Sequence, residues 1–377
     1  MLYVVQLDWQ DKEGVSRLDT ILAYALAGTP YKLISHLEKF IALCPDTALR
    51  TAPDGKDRQL LFAVNLARGG MNLSYARLLY HLSCHSHCLE GWTGAVLVDG
   101  SEELFTKKIG RELIFMANRA GCAFPGKPLV EGTGSLYNFN VQAKLQGIDN
   151  LQAYKESARR LVKKVTAFVP RWEGMGQRVL ALHASSRRTS NTLLLWVLYG
   201  RWQNILWELV RQHLPPEMSV QEISLRNGSV VDCRGCSYEA CLHFGEKGDC
   251  FYGGVIVEQV YPAIKQCDTL VLICPNYNDA VSANIMAFFN RLTALFRKDW
   301  DTFSHKRIFA LVVSGYSGGD IVAEQIIGAL NCNKNFVLPG HFALMETANE
   351  PRSILSCPHV EKRAAALARR ISGVAYV

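Results

Sequence analysis

Residues 179–192 read VLALHASSRRTSNT, an apolar strand that runs directly into a loop rich in hydroxyls and arginines. A helical pattern, LLLWVLYG, begins at residue 193. Backbone N–H groups at a helix start, short hydroxyl side chains and arginines all favour an anion such as a phosphate. The loop has neither the Gly-Lys-Ser/Thr of a P-loop nor the glycines of a GxGxxG dinucleotide turn. A polar turn that binds no ligand is the alternative interpretation.

The second half of the chain alternates strands and helices from about residue 176. Continuous apolar runs at 179–183, 268–274 and 307–313 are typical of buried parallel strands, and a polar or Gly-rich turn follows each one. In doubly wound sheets, ligands bind at the carboxyl ends of the strands, near the point where the strand order reverses. The sequence therefore predicts an α/β fold with a doubly wound parallel sheet, in which the three turns converge.

These turns resemble those of the flavodoxin-like NADPH-dependent FMN reductases and iron–sulfur flavoproteins. The first turn is similar to the family's Gly-Ser-Pro-Arg-x-x-x-Asn-Thr pattern, although Ala184 replaces the Gly and Ser186 the Pro. The second, at 275–278, is similar to the Pro-x-Tyr-Trp stretch that lies against the flavin in the family, with Asn278 in place of the Trp. The helix that follows ends in Phe-Phe-Asn-Arg, so that Asn290 replaces the family's Asp. The third turn, at 314–320, matches the family's glycine-rich loop.

The resemblance implies bound FMN and a reduced nicotinamide nucleotide, NAD(P)H, as electron donor. No side chain is identified as catalytic, because the flavin itself carries the chemistry and the protein sets its orientation and potential. The cofactor-binding residues that the resemblance implies are Ser185, Arg187, Ser190, Asn191, Thr192, Pro275, Asn276, Tyr277, Asn278, Ser314, Gly315 and Gly318.

A group of four cysteines lies between the first two of these strands, at Cys233, Cys236, Cys241 and Cys250. A Cys-x2-Cys pair with two further thiolates is a ligand set for zinc or an iron–sulfur cluster. Iron–sulfur flavoproteins carry their cluster cysteines in this same stretch, although with tighter spacing. The sequence predicts that the four cysteines bind a [4Fe–4S] cluster, and zinc or free thiols remain alternatives.

The first half of the chain repeats the pattern of the second. Residues 59–82 align without a gap onto 178–201, and residues 94–119 parallel 268–291. The first copy lacks the hydroxyl-rich loop and the cysteines, which indicates a degenerate copy without a cofactor. The predicted organisation is a degenerate flavodoxin-like domain over 1–147, a helical connector over 148–175, and an FMN-binding flavodoxin-like domain over 176–377 with a Cys-rich insertion.

Composition limits the functional classes. The 377 residues include twelve cysteines and no apolar run long enough to span a membrane, and the chain shows no secretory signal, so we expect a cytoplasmic protein with reduced thiols. The net charge of +7 is scattered, which favours neither a nucleic acid nor a membrane as partner. The resemblance also implies association of like subunits into a homo-oligomer.

The predicted function is that of an FMN-dependent oxidoreductase. It would transfer electrons from NAD(P)H, or from a reduced ferredoxin-like iron–sulfur carrier, to an unidentified small-molecule or protein acceptor. A non-enzymatic flavin or iron–sulfur electron carrier is one alternative. The other is a zinc-stabilised structural protein on a flavodoxin-like fold.

Overall fold

The computed structural model describes residues 1–8, 15–44, 58–170, 178–184, 205–226, 230–350 and 352–373. The chain divides into two compact units, Met1–Pro170 and Arg171–Val377, here called unit 1 and unit 2. Each contains a five-stranded parallel sheet with helices around it.

Unit 1 begins with a strand and alternates strands with helices. Its strands are β1 Leu2–Leu7, β2 Tyr31–Ile34, β3 Arg58–Leu66, β4 Trp92–Gly100 and β5 Leu129–Gly132. Its helices are α1 Arg17–Leu26, α2 Leu37–Leu43, α3 Leu73–Cys84, α4 Thr106–Arg119, α5 Asn140–Gln146 and α6 Asn150–Ala167. The strands are ordered β2-β1-β3-β4-β5, all parallel.

Helix α6 is part of the core of unit 1. It is amphipathic, and its apolar face joins the cluster formed by β1, β3, β4 and α1. The Tyr154 ring is fully buried, and its hydroxyl donates to the Val98 carbonyl in β4 (3.1 Å). The predicted connector over 148–175 therefore needs correction, because most of it is a core helix and the units divide at residue 170. Its basic residues lie mostly on the outer face, and this basic, helical pattern is typical of a connector.

Unit 2 has the same kind of architecture. Its strands are β6 Arg178–His183, β7 Ser219–Ser224, β8 Thr269–Pro275, β9 Arg307–Ser314 and β10 Ala343–Thr347. Its described helices are α7 Ile205–Arg211, α8 Tyr238–Glu246, α9 Tyr261–Gln266, α10 Ala283–Asp299, α11 Gly319–Ile326 and α12 Val360–Ser372. Strands β8 and β9 are buried along their whole length, as expected for a sheet covered on both faces.

The strands of unit 2 are ordered β10-β9-β8-β6-β7. Numbered within each unit, both sheets have the order 2-1-3-4-5, which is the flavodoxin-like doubly wound order. The predicted fold class is confirmed in both halves of the chain. The three apolar runs predicted as strands correspond to β6, β8 and β9.

The strand correspondence predicted between the two halves is wrong. The sequence alignment pairs residues 59–82 with 178–201, that is, β3 with β6. In the structure β3 is the third strand of its unit and corresponds to β8, whereas β6 is a first strand and corresponds to β1. Because buried strands and amphipathic helices have the same periodicities throughout, one strand–helix pair aligns about equally well with another.

Backbone conformation supports the topological correspondence. The loop after β3 has two consecutive residues of positive φ, Gly69 and Gly70, and the loop after β8 has Asn278 and Asp279. Helices α4 and α11, which follow the fourth strands, each begin after a left-handed N-cap residue.

Among the described helices, none is long and apolar enough to cross a bilayer.

Candidate functional site

The carboxyl ends of β6, β8 and β9 lie side by side at one edge of the unit 2 sheet. The strand order reverses between β6 and β8, since β7 follows on one side and β9 on the other. A crevice outside the strand ends is expected at such a switch point. The loops after these strands therefore form the candidate site.

A cleft of about 460 Å³ lies at this switch point. Its volume falls within the range of about 300–1,000 Å³ that is usual for small-molecule sites. Ala184 follows β6 on one side of it, and the loop after β8 and the start of α10 form the other. Among the described residues, its lining consists of Ala184, Arg226, Tyr277, Val281, Ser282, Ala283 and Asn284.

A tight turn presents Tyr277 at the cleft. The backbone N–H groups of Tyr277 and Ala280 donate to each other's carbonyls (3.0 and 3.1 Å). The two residues between them have φ of 52° and 56°, the left-handed pair of a type I′ turn, in which Asn and Asp are favoured. The Tyr277 side chain is left 48 % exposed. An aromatic ring held in this way can stack on a flat ligand.

Asn276 ties the loops after β8 and β9 together. Its Nδ2 donates to the Ser317 carbonyl (2.7 Å), the Ser314 Oγ (3.3 Å) and the Asp279 carboxylate (3.2 Å). Its Oδ1 is buried and has no hydrogen-bond partner among the described residues. A buried acceptor left unpaired is costly, so Oδ1 is a candidate to accept a hydrogen bond from a ligand.

The loop after β9 needs its glycines for close approach. Gly318 has φ of +82°, and a Cβ there would lie 2.0 Å from the Asp279 Oδ1. A Cβ on Gly315 would lie 3.2 Å from the Asn349 Oδ1. The Ser314 side chain is buried at the strand end, next to Asn276. The predicted residues of the second and third turns are therefore close together.

The structure does not describe the predicted residues of the first turn. Ser185, Arg187, Ser190, Asn191 and Thr192 lie outside the described residues, which end at Ala184 and resume at 205. Their role in binding a phosphate therefore rests on the sequence.

Sequence reasoning missed Arg226 and Asn284 in the lining of the cleft. Asn284 Nδ2 donates to the Leu225 carbonyl (2.5 Å), which links α10 to the chain just after β7. Strand β7 is a polar edge strand whose residues are mostly exposed or half-buried, so no apolar run marks it. A search for polar residues after edge strands would have found Arg226.

The four cysteines lie in one segment of unit 2. Cys233 and Cys236 are exposed in an irregular stretch, Cys241 is half-buried in α8, and Cys250 is half-buried after it. No three of their sulfurs lie within 4.8 Å of one another. Around one tetrahedral zinc, with Zn–S bonds of about 2.3 Å, sulfurs would be about 3.8 Å apart.

Helix α10 holds the cysteine segment. The buried Arg291 donates from Nε to the Cys250 Sγ (3.4 Å) and from its two terminal nitrogens to the carbonyls of Val231 (2.8 Å) and Gly253 (2.7 Å). The Tyr261 hydroxyl donates to the Arg291 carbonyl (2.5 Å). Burial, with Cys250 nearby, raises the pKa of Tyr261 well above its usual value, so this hydroxyl remains a donor.

Comparison with protein families finds a match within unit 2. The family model described as NADPH-dependent FMN reductase matches residues 177–350, just under half of the chain. The matched segment includes the cleft, the loops after β8 and β9, and all four grouped cysteines.

A curated relative is similar to part of the chain. It is an iron-sulfur flavoprotein from Archaeoglobus fulgidus, 31% identical over 109 residues. The match covers 28% of this chain, and the chain spans about half (51%) of that relative's length.

Solved structures with similar regions include an azoreductase from Bacillus anthracis str. Sterne, at 14% identity and a TM-score of 0.37. That match covers 52% of this chain and 98% of the azoreductase. The Trp repressor binding protein from Bacillus subtilis has 15% identity and a TM-score of 0.34. That match covers 50% of this chain and 98% of the Trp repressor binding protein.

Proposed function

We propose that the chain is an FMN-dependent oxidoreductase that takes electrons from NAD(P)H, with FMN bound in the cleft at the ends of β6 and β8. The observation that carries the proposal is a half-exposed Tyr277 beside a cleft at the switch point of a flavodoxin-like sheet. The family match of residues 177–350 supports FMN as the cofactor.

The chain's own residues would bind and orient the cofactor. Tyr277 would stack on the flavin ring, and the buried Asn276 Oδ1 would accept a hydrogen bond from a flavin N–H. Gly315 and Gly318 let the backbone come close to the ligand, with Ser314 beside them. Bound FMN would supply hydride and single-electron chemistry.

The phosphate of FMN would bind the first turn. In this proposal Ser185, Arg187, Ser190, Asn191 and Thr192 donate to it, because hydroxyls and arginines at a helix start favour a dianion. Ala184, the described residue just before this turn, lines the cleft, which supports the proposal.

The four cysteines would bind a metal centre. A Cys-x2-Cys pair with two further thiolates is a ligand set for a [4Fe–4S] cluster, which is the centre proposed here. The curated relative's description as an iron-sulfur flavoprotein supports the same choice. With such a centre, a reduced ferredoxin-like carrier becomes a second possible donor.

The acceptor in this proposal is a small molecule or a redox protein. The twelve cysteines, all within the described residues, form no disulfide, which fits a reducing compartment and supports action in the cytoplasm. A non-enzymatic electron carrier would bind the same flavin but would not turn over NAD(P)H.

The test uses the full chain purified without oxygen. We expect one FMN per chain by absorption and titration, and steady NADPH or NADH oxidation with a quinone or another soluble acceptor. Binding without turnover would support the electron-carrier alternative, and failure to bind FMN would overturn the proposal.

The metal centre is tested by iron, sulfide and zinc analysis of the same preparation. Because thiolates on one centre act as a unit, each Cys→Ser change at 233, 236, 241 or 250 should remove most of the metal. Cys332→Ser, a half-buried cysteine elsewhere in unit 2, is the control. Protein with neither iron nor zinc would leave the four as free thiols.

A further inference from the structure

Arg291 is an arginine buried to 2 % exposure, on the same helix that begins at the cleft. Its guanidinium contacts two carbonyls and the Cys250 sulfur. Within the part of the chain that the structure describes, no carboxylate forms an ion pair with it. Burying an unpaired charge costs several kcal/mol, so a buried guanidinium with this environment calls for a negative partner.

Cys250 is the contact of Arg291 that can carry the negative charge. Carbonyl oxygens offer only dipoles, whereas a cysteine sulfur bound to a metal is a thiolate. A centre held by four thiolates is anionic for either a [4Fe–4S] cluster or zinc. The Arg291 Nε lies 3.4 Å from the Cys250 sulfur, one of the proposed ligands. Its positive charge would therefore compensate the negative charge of such a centre.

The other two contacts show what Arg291 does for the segment. Val231 precedes Cys233 by two residues, and Gly253 follows Cys250 by three. By donating to both carbonyls, one side chain fixes the two ends of the cysteine segment to α10. The planar fork of an arginine provides these donors in one geometry, which a lysine cannot.

Helix α10 also connects this point with the cleft. Its N-cap Ser282 lines the cleft and accepts from the Ile285 N–H (3.3 Å). Nine residues of helix separate Ser282 from Arg291, a rise of about 13 Å. The cysteine segment and the cleft are thus positioned by one rigid element.

We propose that Arg291 is a positioning residue for the metal centre: it fixes Cys250 as a ligand and supplies the positive charge that compensates the thiolates. This inference rests on the proposed four-cysteine centre. Hydrogen-bond partners of metal ligands contribute 10–100-fold to metal affinity in typical sites. The same contribution is expected here.

The experiment measures metal retention against a chelator in the anaerobic full chain. The chelator concentration that removes half of the metal should fall about 10–100-fold in Arg291→Gln, and less in Arg291→Lys, which keeps the charge but loses the fork. Asn290→Ala, an exposed neighbour on α10, and Arg307→Lys, a buried arginine elsewhere in unit 2, should retain metal like the parent.

A double-mutant cycle separates this role from general destabilisation. If Arg291 acts through Cys250, Arg291→Gln should weaken the low residual metal affinity of Cys250→Ser, measured by titrating metal into the anaerobic protein, little further. The FMN content is measured in parallel. Unchanged metal retention in Arg291→Gln, or additive effects in the double variant, would overturn the inference and leave the proposed centre intact. A parent protein without iron or zinc would overturn both, while the FMN titration would still decide the flavin proposal.

Discussion

The two sheets of this protein have the same strand order, but their carboxyl edges differ. In unit 1, Arg17 reaches across the edge and donates to the Asp99 carboxylate (2.9 Å) and to the carbonyls of Gly100, Thr133 and Gly134. A side chain of the unit itself thus occupies the ends of β4 and β5.

Acidic side chains complete the unit 1 edge. Glu102 accepts from the Gly69 N–H (2.9 Å), and Glu103 accepts from the Ser135 N–H (2.7 Å). These bonds join the loops after β3, β4 and β5 to one another. The carboxylates would also repel a phosphorylated ligand. We therefore expect unit 1 to bind no FMN, as the sequence predicts.

At the corresponding edge of unit 2, uncharged residues take the places of two charged ones, while Arg226 and Asp279 carry charge nearby. Ser314 stands where the fourth strand of unit 1 ends in Asp99 and Gly100, and Tyr277 lies in the loop where unit 1 has Arg68. A cleft is left between the strand ends. Strand order therefore sets where a site can form in each unit, whereas the loop side chains decide whether it does.

The largest expected effect is on the stability of unit 1. Arg17→Ala leaves Asp99 buried, at 5 % exposure, without its cation, and breaking such a pair typically costs about 3–5 kcal/mol. Urea unfolding followed by hydrogen exchange in β4 measures the loss. Arg68→Ala, which removes an exposed ion pair with Glu102, is the control and should cost less than about 1 kcal/mol. Equal losses would mean that the edge is not closed by Arg17.

The pH dependence of the stability of Arg17→Ala tests the same ion pair with Asp99. Burial raises the pKa of Asp99, and Arg17 opposes the rise. Without Arg17 the folded-state pKa should rise further, so the folded state binds a proton that the unfolded chain releases above about pH 4. The free energy of unfolding of Arg17→Ala should therefore fall further below that of the parent as the pH rises from 4 to 8. A deficit independent of pH would exclude Asp99 as its source.

The next effect concerns FMN binding by unit 2. Charge-assisted hydrogen bonds contribute about 1.5–3 kcal/mol each, so Arg187→Ala with Thr192→Ala should weaken FMN at least about tenfold. Isothermal titration measures the affinity. Arg178→Ala, at the opposite end of β6 and paired with Asp268, should leave it unchanged. Unchanged affinity in the double variant would place the phosphate elsewhere.

A smaller effect tests the loops after the fourth strands. Gly318→Ala combines a left-handed φ with a clash against Asp279, and should cost about 1–3 kcal/mol and weaken FMN. Unit 1 already tolerates a left-handed residue at the corresponding N-cap, Phe105. Phe105→Gly relieves that strain but loses apolar contact, so its net effect on unfolding should stay within about 1 kcal/mol. FMN affinity should respond to Gly318→Ala alone.

The smallest effect is expected from the aromatic ring in the cleft. Stacking contributes about 0.5–1.5 kcal/mol, so Tyr277→Ala should weaken FMN by up to about tenfold, and Tyr277→Phe should change it little. Tyr137→Ala, an exposed tyrosine of unit 1, is the matched control. A loss with Tyr277→Phe as large as with Tyr277→Ala would show that the hydroxyl, rather than the ring, matters.

The sequence predicted the central strands well and the edge strands poorly. Strands β6, β8 and β9 are continuous apolar runs because both faces of the sheet are covered. The edge strands β7 and β10 are six and five residues long and mostly exposed or half-buried, so no long apolar run marks them. The sequence alignment of the two halves pairs β3 with β6 and β4 with β8, which shifts the first pair by two strands and the second by one.

Part of the site could also be predicted. Asn276, Tyr277 and Ser314 follow apolar runs, so their place at the strand ends follows from the pattern. The contacts of Arg291 could not be predicted. They depend on residues about 40 to 60 positions away in the chain, such as Val231 and Gly253 on the Arg291 side chain.

The α/β class, the buried strands and the chemistry of the turns follow from the amino-acid sequence, because periodicity and loop composition are local properties. The tertiary structure decided the strand correspondence, the closure of one edge by Arg17 and the attachment of the cysteine segment to α10. Each depends on which distant segments pack together, and buried charges such as Arg17 and Arg291 find their partners only after the chain has folded.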